Sequence, residues 1–181
     1  MLTVAGLGFT PRSARETEAE ADPRMIRIAR GLLTSKYSIH DLSRFQGEGA
    51  ENLARFNMPL ELGMALGIRY LGQVEGRTSK ATHNWLVLVP ENFVHHKFIS
   101  DLAGYDASDH DQTPRKVIQR VAMWLRSQPD FKPPRPEAKA ILDAFPQFEK
   151  RLDEFKDRSL GTPTWRDVAT AAQAAVSGIP A

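Results

Sequence analysis

The sequence has no cysteine, no long apolar run and almost no excess of charge. Without cysteine, the chain has no disulfide, no thiol nucleophile and no thiolate metal site. The absence of cysteine is typical of proteins in the reducing cytoplasm. No apolar stretch approaches the roughly 20 residues of a membrane span, and the first residues lack the pattern of a signal peptide. The 24 Lys and Arg against 22 Asp and Glu leave a net charge of +2. We therefore expect a cytoplasmic protein that binds neither membrane nor nucleic acid.

Several common motifs are also absent. The chain has no phosphate-binding loop and no Gly-x-Gly-x-x-Gly pattern, and Ser43 lacks the glycine-flanked elbow of hydrolases. The adjacent His95 and His96 diverge on any regular element and do not chelate a metal together. A metal site with Asp106, Asp109, His110 and Asp111 is an alternative, but we expect no metal and no resident cofactor, and we assign the acidic residues of this set to a solvated loop.

The composition is that of a globular protein, and segments of helical and strand character alternate along the chain. With 41% apolar and 25% charged residues over 181 positions, the chain can bury a core, and the alternation predicts an α/β fold. Strands are predicted at residues 9–14, 37–43, 84–90 and 105–107. Helices are predicted at 2–7, 25–33, 59–70, 93–102 and 114–127, with two short helices separated near Pro146 and a last helix from Thr164 to Val176.

A proline-rich stretch predicts the domain boundary. Residues 129–136 contain four prolines and read as a linker. We therefore predict an α/β domain over residues 1–128, this linker, and a helical extension over residues 137–181 that docks on the same domain.

Asp41 and Glu61 are the most informative pair of residues. Ligands of open α/β sheets bind outside the carboxyl ends of the strands. Asp41 and Ser43 end a predicted strand, and Glu61 lies in the predicted first turn of the next helix, whose amide-rich end favours an ionised carboxylate. Both carboxylates also have ordinary explanations, because a first-turn Glu commonly serves only the helix dipole and a strand-end Asp commonly serves a turn. The helix has two apolar stripes, which predict that it is covered on both sides. One stripe consists of Leu60, Met64, Ile68 and Leu71, and the other of Leu62, Leu66 and Tyr70.

The segment Ser38 to Ser43, followed by Arg55 to Gly63, resembles the signature of TIR-like proteins related to the nucleoside 2-deoxyribosyltransferases. In those transferases a strand ending in Asp precedes a helix whose Glu-Leu-Gly carries the catalytic glutamate. Asp41 matches that aspartate and Glu61 matches that glutamate. The resemblance extends over about residues 9 to 127.

This resemblance implies a flavodoxin-like open parallel sheet with flanking helices and cleavage of an N-glycosidic bond in a nucleotide, a nucleoside or NAD. Glu61 would stabilise or trap the positive charge at the sugar carbon, and Asp41 would orient it or bind ribose hydroxyls. NAD or a nucleotide is then a substrate or ligand rather than a cofactor. We expect the substrate to be bound by Ser43, Arg44, Arg55 and Asn57, with the two arginines on its phosphates.

The chain departs from that fold at its start. Flavodoxin-like relatives open with an apolar strand and a polar loop before the first helix, whereas this chain starts at Met1-Leu2-Thr3-Val4, inside the position of that helix. We expect the first strand to be missing, because the chain is shortened, because its start is misassigned, or because another segment or subunit fills the gap.

Two functions of different classes remain open. The first is an enzyme that cleaves a nucleotide or dinucleotide at its glycosidic bond by hydrolysis or transfer. The second is a TIR-like binding module that senses a nucleotide or assembles with like domains, its glutamate retained for structure. A purely structural domain is a third possibility, and the sequence does not distinguish a monomer from a homo-oligomer.

Overall fold

The computed structural model describes residues 1–16, 21–44, 56–74, 83–91, 99–102 and 104–180. The chain divides into two compact units: a sheet unit, residues 21–116, and a helical unit, residues 1–20 and 117–181. The elements, in chain order, are α1 (Leu2–Gly6), α2 (Arg24–Leu33), β1 (Tyr37–Asp41), α3 (Asn57–Val74), β2 (Asn84–Val89), a 3-10 turn (Ser100–Leu102), β3 (Ser108–Asp109), α4 (Pro114–Arg126), α5 (Ala138–Asp143), α6 (Phe145–Ser159) and α7 (Trp165–Val176). Among the described residues, no helix combines the length and apolar character that a membrane crossing requires.

The sheet unit is α/β and contains a small open parallel sheet of three strands in the order β1-β2-β3, with flanking helices. Tyr37 pairs with Asn84 and Asp41 with Leu88, so β1 and β2 run in register over the whole of β1. The middle strand, β2, is buried from Leu86 to Val89. Its apolar side chains alternate between the two faces of the sheet, so both faces must be covered, which explains why a continuous apolar run forms this strand.

Helix α3 packs against the sheet through one face. Leu62 is 1% exposed and belongs to the same core cluster as Leu42, Val87, Val89 and Leu102. The prediction that both apolar stripes of α3 are covered is wrong for the described residues, because Leu60 is 52% exposed and Leu71 is 66% exposed. One face of the helix therefore stabilises the sheet unit, and the opposite face keeps large apolar side chains in solvent.

Two predicted strands differ from the structure. Residues 9–14 contain no strand. Pro11 lacks an N–H for a strand ladder, and the Glu16 carboxylate accepts from both Arg12 Nε (2.7 Å) and the Ser13 backbone N–H (3.1 Å), which closes a local turn instead. The strand expected at 105–107 forms at Ser108–Asp109, because the Tyr105 N–H continues the preceding turn by donating to the Leu102 carbonyl at 3.0 Å. The helix predicted at 93–102 lies mostly outside the described residues, and only the 3-10 turn at its end is described.

In the helical unit, α1 lies against α5 and α7. A Cβ placed on Gly6 would stand 3.2 Å from Ile141 Cδ1 and 3.4 Å from Val176 Cγ1, so the glycine allows a close helix approach. Pro146 lies in the first turn of α6, as predicted. Thr164 and Asp167 form a reciprocal capping box at the start of α7, which confirms the predicted helix start. The bounds of the two compact units differ from those of the predicted domains. The division into a domain over residues 1–128 and an extension over residues 137–181 stays a prediction.

A chain of hydrogen bonds joins two buried histidines in the sheet unit. His83 Nδ1 lies 2.8 Å from the Ser35 carbonyl and must donate to it, so His83 Nε2 accepts from the Ser38 hydroxyl at 2.8 Å. His40 Nε2 then donates to the Ser38 oxygen at 2.8 Å, and His40 Nδ1 is buried without a partner. Burial, followed by repulsion from His83, lowers the pKa of His40 to about 4, and burial also lowers the pKa of His83. The imidazole rings of His40 and His83 are therefore both neutral in this network.

We predict that acid destabilises the sheet unit through His40. The unfolded histidine titrates near 6.5 and the folded one at about 4, so the unfolded chain binds more protons between these values and the free energy of unfolding falls as the pH is lowered through this window. The loss attributable to His40 is ~3 kcal/mol at most. Urea unfolding of the wild type and His40→Gln at pH 7.5, 6.0 and 4.5 measures it, and the variant should lose less stability over this range. An identical pH dependence of the two proteins would contradict the prediction.

Candidate functional site

A cavity of about 210 Å³ lies at the carboxyl end of β1. Three of the predicted site residues, Asp41, Arg44 and Asn57, line it together. The rest of its wall is Arg24, Leu42, Met58 and Pro59. Arg55, the other predicted phosphate contact, lies outside the described residues. The cavity occupies the position where open α/β sheets bind their ligands, beyond a strand's carboxyl end.

Local structure explains why these side chains converge. Asp41 is the last residue of β1, and the next residue, Leu42, is buried in the core. Neighbouring side chains of an extended chain point to opposite sides, so the Asp41 side chain is half exposed. Asn57 is the first residue of α3 and is exposed. Arg24 is the first residue of α2, directly after the N-cap Pro23. A strand end and two helix starts therefore form the wall of the cavity.

Glu61 lies behind this wall. It is the fifth residue of α3, because the helix begins at Asn57 and carries no acidic residue in its first turn. The prediction that helix-end amides hold Glu61 is therefore wrong. Its side chain is only 16% exposed, and its Oε1 atom, which is buried and accepts no hydrogen bond, lies 3.7 Å from Arg24 Nη2. Burial raises the pKa of Glu61, and the Arg24 charge opposes that rise.

Arg24 connects Glu61 to the cavity, and the sequence reasoning missed it. Its guanidinium stands beside the Glu61 carboxylate, and its side chain lines the same cavity as Asp41. A signal was present, because a cation in the first turn of a helix is opposed by the helix dipole and needs another reason to be there. The nearby buried carboxylate supplies that reason.

Asp41, Ser43 and His110 form a hydrogen-bonded group that links the ends of β1 and β3. Asp41 Oδ1 accepts from both the backbone N–H, at 2.9 Å, and the hydroxyl of Ser43. Ser43 Oγ lies 2.9 Å from His110 Nε2, which is also 3.4 Å from Asp41 Oδ1. The His110 side chain is 4% exposed. Asp109 is also buried, so the prediction that the acidic residues here form a solvated loop is wrong for Asp109.

The tautomer of His110 decides what this group can do. His110 Nδ1 accepts from the Gln112 backbone N–H at 3.0 Å, so the ring proton sits on Nε2. Nε2 therefore donates to the Ser43 oxygen, and the Ser43 hydroxyl donates to Asp41. A serine nucleophile needs the opposite polarity, with the histidine accepting the hydroxyl proton. The group fixes the orientation of the Asp41 carboxylate and does not activate Ser43.

Lys116 holds the loop after β3 in place. Its Nζ lies 3.1 Å from Asp109 Oδ2 and 2.5 Å from Asp111 Oδ2. Hydrogen bonds to Asp111 and then to Asp109 raise the pKa of Lys116. Within the described part of the chain, no three His, Asp or Glu side chains are grouped to hold a metal ion. His95 and His96 lie outside the described residues.

No family model, curated protein or solved structure matches this chain. Its chemistry is therefore read from the cavity and the side chains around it. Asp41, Arg44 and Asn57 line the cavity together, and Ser43 is hydrogen-bonded to Asp41. The Arg24 side chain separates Glu61 from the cavity. The catalytic and binding roles of these residues stay predictions.

We predict that Ser43 does not react with a fluorophosphonate probe of serine hydrolases. The proton on His110 Nε2 leaves no base to accept the Ser43 hydroxyl proton. Intact-mass analysis after incubation should show no adduct on the wild type or on Ser43→Ala, with trypsin as a positive control. A stoichiometric adduct that disappears in Ser43→Ala would show that the hydroxyl is activated.

Proposed function

We propose that the sheet unit cleaves the N-glycosidic bond of a nucleotide or of NAD in the cytoplasm. The observation that carries the proposal is the pairing of Arg24 with Glu61, because it places a largely buried carboxylate, whose Oε1 atom accepts no hydrogen bond, next to a cavity that Asp41 also lines. Arg24 and Arg44 are suited to the phosphates of such a substrate, and Asp41 and Asn57 to its ribose hydroxyls.

The strand order supports a flavodoxin-like, TIR-like fold for this unit. A flavodoxin-like sheet has the order 2-1-3-4-5 with all strands parallel. The three strands here are parallel and adjacent in chain order, as the 3-4-5 half of such a sheet is. In that alignment, β1 with its terminal Asp41 takes the third position, and α3 is the helix that carries Glu61.

The reaction requires an ionised Glu61 at the sugar. As the bond between C1′ and the base nitrogen breaks, the bonding electron pair leaves with the base and positive charge develops on the ribose. A carboxylate in a site of low polarity stabilises that charge strongly, and water or an acceptor alcohol then attacks C1′ and releases a proton. Burial alone favours the neutral acid, whereas the Arg24 charge favours the carboxylate. Arg24 thus prepares Glu61 for this role.

The size of the cavity sets which part of the substrate it encloses. At about 210 Å³ it is smaller than the ~300–1,000 Å³ typical of pockets that enclose a drug-sized molecule. A ribose phosphate matches this volume better than a whole dinucleotide. The base of the substrate would then lie outside the cavity that these residues line.

A second candidate function is nucleotide binding without turnover. The observation that favours it is the position of Glu61 behind Arg24 rather than on the described cavity wall, together with the burial that raises the pKa of its carboxyl. In this case Arg24 and Arg44 would hold a nucleotide phosphate, and Glu61 would keep the Arg24 side chain in place.

Turnover of NAD and of a nucleoside and nucleotide panel, measured with wild type, Glu61→Gln and the exposed control Glu91→Gln, separates the two functions. If Glu61 stabilises the transition state, Glu61→Gln lowers kcat by about 100-fold or more, because an amide cannot supply the negative charge. Glu91→Gln should retain wild-type turnover. Saturable nucleotide binding without turnover by the wild-type protein supports the binding module. Absence of both binding and turnover contradicts both functions.

Removal of Arg24 should shift the pH dependence of turnover. Arg24 lowers the pKa of Glu61, so Arg24→Gln raises that pKa and moves the acid limb of the kcat profile to higher pH. Arg115→Gln, at an exposed position of α4, should leave the profile in place. An acid limb that stays at the same pH in Arg24→Gln would show that Glu61 is not the group that titrates in turnover.

A further inference from the structure

A second cleft, of about 250 Å³, lies at the other end of the sheet unit. We call it the aromatic cleft, and the residues that matter for its chemistry are Arg69, Tyr70, Asn84, Trp85, Tyr105 and Asp106. They come from the carboxyl half of α3, the start of β2 and the segment before β3. None of them was singled out as a site residue from the sequence.

The aromatic cleft is separate from the cavity at Asp41. The first cavity contacts α3 at Met58 and the aromatic cleft contacts it at Arg69, which lie about 17 Å apart along a helix that rises 1.5 Å per residue. Asp41 pairs with Leu88 near the end of β2, whereas the aromatic cleft contacts the same strand at Asn84, Trp85 and Val87. One ligand of ribose phosphate size therefore cannot fill both.

Three aromatic rings form one side of the cleft. Trp85 lies at the centre, with the Tyr70 centroid at 6.0 Å and an interplanar angle of 68°, and the Tyr105 centroid at 5.9 Å and 60°. The Tyr105 hydroxyl donates to the Tyr70 hydroxyl at 2.8 Å. Mutual contact holds the rings in place, yet Tyr70 is 38% exposed and the other two rings are half-buried. Ring surface is thus available to a ligand in a fixed arrangement.

Arg69 brings hydrogen-bond donors that the protein satisfies poorly. Its guanidinium carbon lies 5.2 Å from the centroid of the Trp85 ring. Its Nη1 atom reaches the His83 carbonyl at 3.4 Å and Asn84 Oδ1 at 3.5 Å, both at the long limit of a hydrogen bond. Its Nε atom is buried without a partner. An acceptor on a ligand in the cleft would give Nη1 a shorter hydrogen bond than either of its bonds to His83 and Asn84.

We propose that the aromatic cleft binds a planar nitrogen heterocycle of the nucleobase class. Such a ring presents acceptors and N–H donors along one edge, which suit Arg69 and the exposed Asp106 carboxylate respectively. Its flat face suits Tyr70 and Tyr105 beside Trp85. A saturated sugar offers no flat π face to these rings, and a hydrocarbon would leave Arg69 without an acceptor. This inference goes beyond the proposed reaction and does not depend on Glu61.

The test uses adenine alone, without sugar or phosphate. The indole N–H resonance of Trp85 in ¹⁵N-labelled protein is assigned by elimination with Trp124→Phe and Trp165→Phe, which leave the cleft intact. Adenine should shift this resonance saturably, and ribose 5-phosphate should not, because it has no aromatic ring to stack. Arg69→Gln should weaken adenine binding about 10-fold, from the loss of a charged donor, while Arg115→Gln and Glu61→Gln retain wild-type binding.

Tyr70→Leu is the second variant, because the side chain is 38% exposed and its replacement by another apolar side chain is compatible with folding. It should weaken adenine binding about 5- to 10-fold through lost stacking. The proposal is overturned if adenine, guanine and uracil at millimolar concentration leave the Trp85 resonance unmoved. It is equally overturned if both folded cleft variants bind adenine as Arg115→Gln does. Because Glu61→Gln should leave this binding intact, failure here is distinguishable from failure of the proposed reaction.

Discussion

Burial of β2 on both faces is the constraint on which the sheet unit depends. Leu86, Val87, Leu88 and Val89 are each at most 4% exposed, and β1 and β3 pair along the two edges of this strand. Because both neighbours run parallel to β2, their carboxyl ends come to the same end of the sheet. That single arrangement places Asp41 from β1 near His110, which follows β3, although 69 positions separate them in the chain. The cavity, the hydrogen-bonded group and the proposed chemistry all follow from it.

The two ends of this sheet carry different electrostatic environments. At the carboxyl end, charged side chains of both signs meet: Arg24 and Arg44 with Asp41 at the cavity, and the largely buried Glu61 behind Arg24. Towards the amino end, His83 is hydrogen-bonded to Ser38, which is bonded in turn to His40 further along β1. Burial lowers the pKa of both rings and keeps them neutral, and Arg69 contacts the His83 carbonyl. The first arrangement can respond to an ionic ligand, whereas the second opposes protonation and offers ring surface. The described part of the sheet unit thus holds two chemically distinct clefts.

Strong local patterns were enough to predict several elements. The apolar run of β2, the periodicity of α2 and α4, the break near Pro146 and the capping box at Thr164 depend on neighbours in sequence, and each appears in the structure. Predictions failed where a distant contact or a single bond decided the outcome. Residues 9–14 have strand-like composition but close a turn on Glu16. The amino end of α3 lies at Asn57 rather than Pro59, which moves Glu61 out of the first turn and changes what sets its pKa.

The sequence by itself determined the α/β alternation and the position of Asp41 at a strand end. It also determined that Asp41 lies near Arg44 and Asn57, because in a parallel sheet the strand ends lie close to the starts of the helices that follow them. Only the tertiary structure showed that Arg24 stands between Glu61 and the cavity, that His110 is a buried donor to Ser43, and that Arg69, Tyr70, Trp85 and Tyr105 share a cleft. These contacts join segments far apart in the chain. No periodicity or spacing encodes them, since burial and hydrogen-bond polarity are properties of the packed chain rather than of its residue order.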